Sequence, residues 1–274
     1  MPATTITSRR HALVARCRDA ADGTGDEVLL DGAHLVGDAL AADVPLAGIL
    51  VAEGVAERPE MQRLLQRARA AGVVVHHVTP AVLDAASPTR TPAGIVALAS
   101  LRFHPLDDLL QRPPALVTVT LGIQDPGNVG TLVRSSEAAG ATGLLALPGT
   151  AHPFGWKALR GSMGSALRLP ICRAGDTRQA LADLQHRGVT IVALRADAEV
   201  PFTDADLTGP LAVCAGAEGA GLPSDVLATC DLHLSIPMRP PVESLNVAVA
   251  TSLVLFEAPR QRRGRPVRRE GGPS

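Results

Sequence analysis

Short apolar runs, each followed by a segment of helical length, recur along most of this 274-residue chain. Runs at 28–30, 49–51, 73–78 and 95–99 predict four strands, and the segments between them predict helices. The pattern predicts an α/β fold that begins with a small α/β/α unit.

The same alternation continues in the second half of the chain and ends in a long apolar helix predicted from Ser244 to about Glu257. Helices on both faces would cover a mostly parallel sheet. The strands predicted there are 116–121, 144–147, 169–172, 190–194, 211–215 and 232–236. The predicted domains are a basic N-terminal segment at 1–23, either flexible or a single helix, a small domain at 24–100, a linker at 101–114, a large domain at 115–260 and a basic disordered tail at 261–274.

The composition excludes several classes of protein. With one Trp, four Phe and no Tyr, an RNA-binding platform of stacked aromatic rings is disfavoured. The four cysteines form no C-x-x-C pair, which argues against a zinc site and a disulfide framework. No apolar run reaches the roughly 18 residues that a membrane span needs. We therefore expect a cytoplasmic protein that binds no membrane and no metal.

Basic residues are unevenly placed, although the formal net charge is only −1. Residues 259–274 carry six Arg and one Glu, and a second basic patch near the start contains Arg9, Arg10, Arg16 and Arg18. These ends either keep the chain soluble or contact RNA, because phosphate binding needs local positive charge and not a basic whole. The sequence leaves both interpretations open.

Arginine also recurs inside the small domain. Residues 60–71 predict an arginine-rich helix, and the turn-rich segment 87–94 contains Arg90. We favour an ordinary loop for 87–94, with contact between Arg90 and a phosphate as the alternative. Lys157 is the only lysine and follows no Gly-rich loop, which excludes a P-loop nucleotidase.

The first of three polar clusters is Asp125–Gly130 with Arg134 and Glu137, and it follows a predicted buried strand. Gly127 and Gly130 predict a tight turn, which Asn128 could fix by bonding its own backbone. On a helix predicted from Gly130 to Ala139, Arg134 and Glu137 share a face. They form either a surface ion pair or the polar stripe of a site.

The second cluster, Gly216–Leu222, also follows a predicted strand and precedes a helix. Its spacing is G-x-x-G-x-G, which differs from the G-x-G-x-x-G of dinucleotide-binding folds. The glycines predict a close backbone approach, and Glu218 among them would repel a pyrophosphate. A cationic or neutral cofactor therefore fits better than a dinucleotide.

The third cluster is Ile236–Met238 with Glu243–Val247. Ser244 precedes an apolar helix, so we expect it to be the N-cap. Asn246 lies among apolar residues, and a buried amide without a hydrogen-bond partner costs about 1–3 kcal/mol. We therefore expect Asn246 to have a functional partner.

In this order and spacing, the three clusters resemble the signature motifs of the SpoU (TrmH-like) RNA 2′-O-ribose methyltransferases. They look closest to the bacterial group that methylates a guanosine in 23S ribosomal RNA. The resemblance runs from about Leu121 to Arg262, and its most specific parts are Gly216-Ala-Glu-Gly, Ile236-Pro-Met and Ser244-Leu-Asn-Val.

The resemblance implies a C-terminal SPOUT-type α/β domain with a trefoil knot, which binds S-adenosylmethionine, methylates RNA and forms a homodimer. Residues 24–100 are similar, more weakly, to the L30e-like RNA-binding domain that precedes it in this group. The residues that would line the methyl-transfer site are Asn128, Arg134, Glu218, Ser244 and Asn246. Those that would contact the cofactor, largely through backbone groups, are Gly216, Ile236 and Leu245.

The resemblance leaves the role of Arg134 open between a base and a group that positions the ribose. A guanidinium holds its proton at neutral pH and is a poor base, so we favour positioning. Two positions depart from the family: Ala217 replaces a polar residue, and Arg239-Pro-Pro241 replaces a loop that often contains Gly. Proline cannot adopt a positive φ, so we expect that loop to follow a different path.

Three other functions are weighed against a ribosomal-RNA methyltransferase. They are a transfer-RNA 2′-O-methyltransferase, an RNA-binding ribosome-assembly factor without catalysis, and a nicotinamide-dependent oxidoreductase. The glycine spacing argues against the oxidoreductase. The sequence does not decide which RNA is modified, or whether the role is housekeeping or antibiotic resistance.

Overall fold

The computed structural model describes residues 5–23 and 25–264 and divides into two compact units. The first unit contains the described residues of 1–104 together with 123–134 and 149–171. The second contains 105–122, 135–148 and the described residues of 172–274. The part of the predicted basic tail at 265–274 lies outside the described residues.

The first unit is built on a four-stranded sheet with the order β1-β4-β2-β3. Strand β4 runs antiparallel to β1 and β2, whereas β2 and β3 are parallel, so this sheet is mixed. All four strands predicted here are present. The elements are α1 Ala12–Asp19, β1 Val28–Asp31, α2 Ala33–Ala41, β2 Leu46–Ala52, α3 Pro59–Ala70, β3 Val75–Val78, α4 Pro80–Ala86 and β4 Ile95–Ala99.

For the N-terminal segment at 1–23, a flexible segment and a single helix were the two alternatives, and α1 corresponds to the helix. Val14 and Cys17 are fully buried and pack with Ala20 and Ala21 into the core of the first unit. Residues 12–22 therefore do not form the flexible segment expected for 1–23. Their few apolar residues lie at helical spacing, which is enough to anchor a short helix.

The later strands form a seven-stranded sheet with the order β7-β6-β5-β10-β8-β11-β9. Every pair with a defined register is parallel, which confirms the predicted parallel sheet. The short strand β9 was not predicted. The elements are β5 Leu116–Thr120, α5 Pro126–Ala139, β6 Gly143–Ala146, α6 Trp156–Ser162, β7 Ile171–Arg173, α7 Thr177–His186, β8 Thr190–Leu194, β9 Val200–Pro201, β10 Leu211–Ala215, α8 Ser224–Leu227, β11 Leu232–Ser235 and α9 Val247–Gly264.

Strand β10 lies between β5 and β8, both of which precede it in the sequence. All five of its residues are buried, as expected for a central parallel strand covered on both faces. Its end carries the second cluster, so the sheet fixes where that cluster begins. Among the described residues, no helix is long and apolar enough to cross a membrane.

Residues 106–110, predicted as part of a linker, form a short 3₁₀ helix in the second unit. Leu109 is fully buried in the core, and Leu106 and Leu110 pack against it. Arg187 binds the neighbouring Asp107 at 2.9 Å. Leu106, Leu109 and Leu110 have the i, i+3, i+4 spacing of a helix, but the prolines of this segment favoured a linker instead.

Two arginines of the predicted C-terminal basic region are engaged within the second unit. Arg260 donates to Glu257 through Nε and Nη2, both at 2.6 Å. Arg262 donates to the carbonyls of Pro114, Ala115 and Gly209 at 3.0, 3.1 and 2.7 Å, which ties the end of α9 to the segments that precede β5 and β10. These two side chains therefore act in the fold.

We expect Arg262→Ala to lower the free energy of unfolding by about 1–3 kcal/mol, because three carbonyls lose their donor. The matched control is Arg263→Ala, since Arg263 is exposed and, within the described residues, donates only to Pro259 in its own helix, at 3.2 Å. The control should change stability by less than about 0.5 kcal/mol. Urea unfolding with an unchanged m-value measures both variants, and equal losses would contradict the assignment.

Candidate functional site

A cavity of about 710 Å³ opens in the second unit, where β8, β10 and β11 end. It is lined by the segments that follow these strands and by the first residues of α9. Ligands of open α/β sheets bind at the carboxyl ends of the strands, so this is the expected place for a site. The predicted site residues that line it are Gly216, Glu218, Ile236, Ser244, Leu245 and Asn246.

The second cluster closes on itself at the end of β10. Ala217 and Gly221 form an isolated bridge, and the N–H of Gly221 donates to the carbonyl of Ala217 at 2.8 Å. A Cβ on Gly216 would lie 2.4 Å from the carbonyl carbon of Gly221 and 2.6 Å from the nitrogen of Leu222. The predicted close approach is therefore made, in this structure, by the chain's own backbone.

Asn246 is the N-cap of α9, and the prediction of Ser244 for that position is wrong. The Oδ1 atom of Asn246 accepts from the N–H groups of Ala248 and Val249 at 2.9 and 3.3 Å. The helix begins at Val247, so Ser244 lies too early in the chain to cap it. Asn246 is also exposed, and the burial that motivated its predicted partner is absent.

The segment that departs from the family forms a turn at the edge of the cavity. The N–H of Val242 donates to the carbonyl of Arg239 at 3.2 Å, and the peptide bond between Pro240 and Pro241 is cis. Met238 before the turn and Glu243 after it both line the cavity. The turn therefore retains contact with the cavity on both sides, despite the prolines.

Three charged lining residues were not among the predicted site residues: Arg195, Asp197 and Glu243. Arg195 donates to Asp197 through Nε at 2.9 Å and Nη2 at 2.6 Å. This bidentate hydrogen bond holds the pKa of Asp197 below its usual value. Arg195 and Asp197 lie directly after β8, at the same edge of the sheet as the clusters, and this position is the signal that could have identified them.

Cys214 lines the cavity but is a core residue, as predicted. Two causes raise the pKa of its thiol well above the usual value: the larger is its hydrogen bond with Cys230, and the second is burial. The neutral thiol is a weak nucleophile. No group of His, Cys, Asp or Glu suited to holding a metal ion occurs in the described part of the chain.

Asn128 and Arg134 do not line this cavity, and they belong to the first unit. Helix α5 begins at Pro126, four residues earlier than predicted, and Asp125 accepts from the N–H of Asn128 at 2.9 Å. The predicted tight turn at Gly127 and Gly130 is therefore wrong, since both residues are helical. Arg134 is exposed, and among the described residues no ion-pair partner for it is found.

Gly130 instead allows α5 to pack closely against α6. A Cβ on Gly130 would lie 2.5 Å from the carbonyl oxygen of Ala158 and 2.9 Å from the Cα of Gly161. Small residues at such crossings let two helix backbones approach closely. The contact fixes the first turns of α5, which carry Asn128 and Arg134.

Comparison with known proteins gives two family matches. The description "SpoU rRNA Methylase family" covers residues 115–256. The description "RNA 2'-O ribose methyltransferase substrate binding" covers residues 29–102. The two matched segments together span both halves of the chain.

Individual proteins agree with these matches. An uncharacterized tRNA/rRNA methyltransferase of Mycobacterium ulcerans is 36% identical over 91% of this chain and 82% of its own length. The 23S rRNA (guanosine-2'-O-)-methyltransferase RlmB of Shewanella oneidensis is 35% identical over 76% of this chain and 86% of its own length. The solved structure of an AdoMet-bound rRNA methyltransferase from Sinorhizobium meliloti is 27% identical, with a TM-score of 0.82 over 94% of this chain and 97% of its own.

We expect Gly216→Ala to destabilise the protein by about 1–3 kcal/mol, because the added methyl group would overlap the backbone of Gly221. Gly175→Ala is the control, since a Cβ there meets nothing within 4 Å and Gly175 has no positive φ. Thermal unfolding of the two variants checks the expectation. A Gly216→Ala protein as stable as the control would show that the loop relaxes.

Proposed function

The chain belongs to the SpoU rRNA methylase family, and we propose that it transfers a methyl group from S-adenosylmethionine to a ribose 2′-hydroxyl of structured RNA. The observation that carries this proposal is the convergence of six predicted site residues on one cavity. The AdoMet-bound relative from Sinorhizobium meliloti supports the cofactor.

The cavity fits S-adenosylmethionine in size and charge. Its volume of about 710 Å³ lies within the range of roughly 300–1,000 Å³ that is usual for ligand sites. Glu218 and Glu243 provide negative charge beside a cofactor that, when bound, presents an activated methyl group on a cationic sulfonium. Backbone groups of Gly216, Ile236 and Leu245 would hold it.

The residues of the chain then have to position the ribose; transfer of the methyl group would leave the cofactor as a neutral thioether and release the hydroxyl proton to water. A ribose hydroxyl is a weak nucleophile, so attack on a methyl group requires in-line placement and loss of the proton. We assign Asn128 and Ser244 to orientation of the ribose by hydrogen bonds. Asn246, whose Oδ1 caps α9, would present its amide group from a fixed position.

For Arg134 we propose a positioning role, through a phosphate next to the reacting ribose. A guanidinium stays protonated at neutral pH, and its planar fork binds phosphate oxygens in pairs. The exposure of Arg134 supports this role, because a phosphate can reach it from solvent. A role as the base is the alternative.

We propose 23S ribosomal RNA as the substrate and the cytoplasm as the place of reaction. The relative from Shewanella oneidensis supports ribosomal RNA, whereas the mycobacterial name leaves transfer RNA as the alternative. For the domain boundaries we keep 24–100 for an L30e-like RNA-binding domain and 115–260 for the methyltransferase domain. A trefoil knot in the latter is part of the proposal, and the late insertion of β10 between β5 and β8 is compatible with it.

Labelling of RNA with tritiated S-adenosylmethionine tests the proposal directly. We expect label on undermodified 23S ribosomal RNA, with the modified nucleotide mapped as a 2′-O-methyl site. Binding of that RNA without any labelling would favour the competing function, an RNA-binding assembly factor. Labelling of transfer RNA alone would correct the substrate.

We expect Arg134→Ala to reduce methylation by about 10²-fold or more, because a misplaced ribose loses in-line geometry. Cofactor affinity, measured by calorimetry, should change less than about twofold. The control is Arg178→Ala, which removes an exposed arginine of α7 and should leave both quantities unchanged. Collapse of cofactor binding in Arg134→Ala would contradict its assignment to the RNA side.

We also propose that the protein is a homodimer that uses the exposed apolar face of α9. Val249, Leu253 and Phe256 lie at i, i+4 and i+7 and are 49%, 39% and 48% exposed. Such a row on one helix face is typical of a helix that packs against a partner. A second copy of the chain is the partner that the resemblance implies.

Leu253→Asp should convert the dimer to a monomer, because it would bury an unpaired carboxylate in the interface. Val74→Asp is the matched control, since Val74 is 58% exposed and lies in the first unit. Light scattering after size-exclusion chromatography gives the mass of both variants. A wild-type protein that is already monomeric would remove the proposal.

A further inference from the structure

Helix α3 in the first unit has one buried and one charged face. The residues that it buries are Met61, Leu64, Leu65 and Ala68. Arg63, Arg67 and Arg69 lie on its exposed side, and Arg58 precedes its first turn. Because the buried residues fix how the helix is rotated, these arginines must face solvent.

The arginines of α3 have no partner among the described residues, unlike most of the basic N-terminal patch. Arg9 and Arg18 donate to the carbonyls of Ala81 and Ala85, and Arg16 pairs with Glu27 at 2.5 Å. For Arg58, Arg63, Arg67 and Arg69, neither a hydrogen bond nor an ion pair is found in the described part of the chain. Hydrogen bonds and an ion pair within the protein therefore engage most arginines of the basic N-terminal patch, whereas the arginines of α3 are left available to a ligand.

The acidic residues of this stretch of chain, Glu57 and Glu60, lie at the N-terminal end of α3 and form no ion pair with its arginines in the described structure. Residues 61–83 contain three Arg and two His but no Asp or Glu. On the neighbouring α2, Asp38 is engaged with His34 at 3.3 Å and Arg168 at 4.0 Å. Arginines four residues apart repel each other, which destabilises a helix by roughly 0.2–0.5 kcal/mol.

A row of unpaired guanidinium groups without exposed aromatic rings suits phosphate better than bases. Arg63 and Arg67 are four residues apart, which is about 6 Å along the helix axis. Guanidinium groups bind phosphate oxygens in pairs, whereas reading unpaired bases usually needs stacking on aromatic rings. The only large apolar residue of the first 104 residues that is strongly exposed in the described structure is Val74.

We propose that the exposed face of α3, with Arg58, Arg63, Arg67 and Arg69, is a docking surface for the phosphate backbone of the RNA substrate. The inference rests on the proposed function and adds where the RNA is held away from the reacting ribose. This surface supplies affinity that is independent of base sequence and strongly dependent on salt. It takes no part in the chemical step.

The test compares Arg63→Ala/Arg67→Ala with Arg112→Ala/Arg178→Ala, a control that removes two exposed arginines of the second unit. The probe is an in vitro transcript of 23S ribosomal RNA. We expect the α3 variant to bind it about tenfold more weakly at low salt. The slope of log affinity against log salt should fall by about 2, one for each lost phosphate contact.

Methylation kinetics provide the second readout. In the α3 variant, KM for the RNA should rise about as much as the binding constant, whereas kcat and cofactor affinity should stay within twofold of wild type. Circular dichroism verifies that both variants are folded. An unchanged salt slope, an equal loss in the control, or a fall in kcat without a change in KM would overturn the proposal.

Failure of the proposed function gives a different result. If the wild-type protein labels no RNA but still binds the transcript, binding and its salt slope alone decide the role of α3. If the wild-type protein does not bind the transcript at all, the docking surface is refuted along with the RNA substrate.

Discussion

The candidate site depends on the position of β10 at the centre of the parallel sheet. This strand pairs with β5 on one side and β8 on the other, and all five of its residues are buried. A strand held on both sides and covered on both faces can shift only if the whole sheet is disrupted. Its last residue therefore gives Gly216 a fixed starting point, from which the loop to Gly221 closes over its own backbone.

The arginines of the chain fall into two groups that sequence position alone does not separate. Arg16, Arg260 and Arg262 lie in terminal regions that look like RNA-binding ends, yet they bind carboxylates or carbonyls of the fold. Arg63 and Arg67 lie inside a regular helix and have no partner in the described structure. The lack of internal partners, and not the density of charge, is what distinguishes α3 as the RNA-docking surface that we propose.

Periodicity in the sequence was sufficient to predict every strand except the short β9, as well as the parallel sheet of the second unit, because buried parallel strands are continuous apolar runs. It was not sufficient for the ends of helices. Pro126 begins α5 and Asn246 caps α9. Both assignments depend on hydrogen bonds that the side chains of Asp125 and Asn246 accept from backbone N–H groups, and a pattern of apolar residues does not contain them. The order of the strands in the sheet is equally absent from local sequence. Strand β10 pairs Leu211 with Leu116 of β5 and Cys214 with Ala193 of β8, which are 95 and 21 residues away along the chain.

The lack of long-range information in local sequence also explains which site residues could be predicted. Residues in dense motifs, such as Glu218, could be identified from order and spacing, whereas Asp197 follows an unremarkable strand and its place at the cavity is a property of the sheet. The backbone contacts that we propose for the cofactor would make this difference sharper, because backbone contacts tolerate changes of side chain. Ala217 can replace a polar residue as long as its carbonyl still accepts from Gly221, and the turn after Arg239 can contain prolines as long as Met238 and Glu243 keep their places. Gly216 does not have this freedom, because a Cβ there would meet the backbone of Gly221 and prevent the loop from closing as it does.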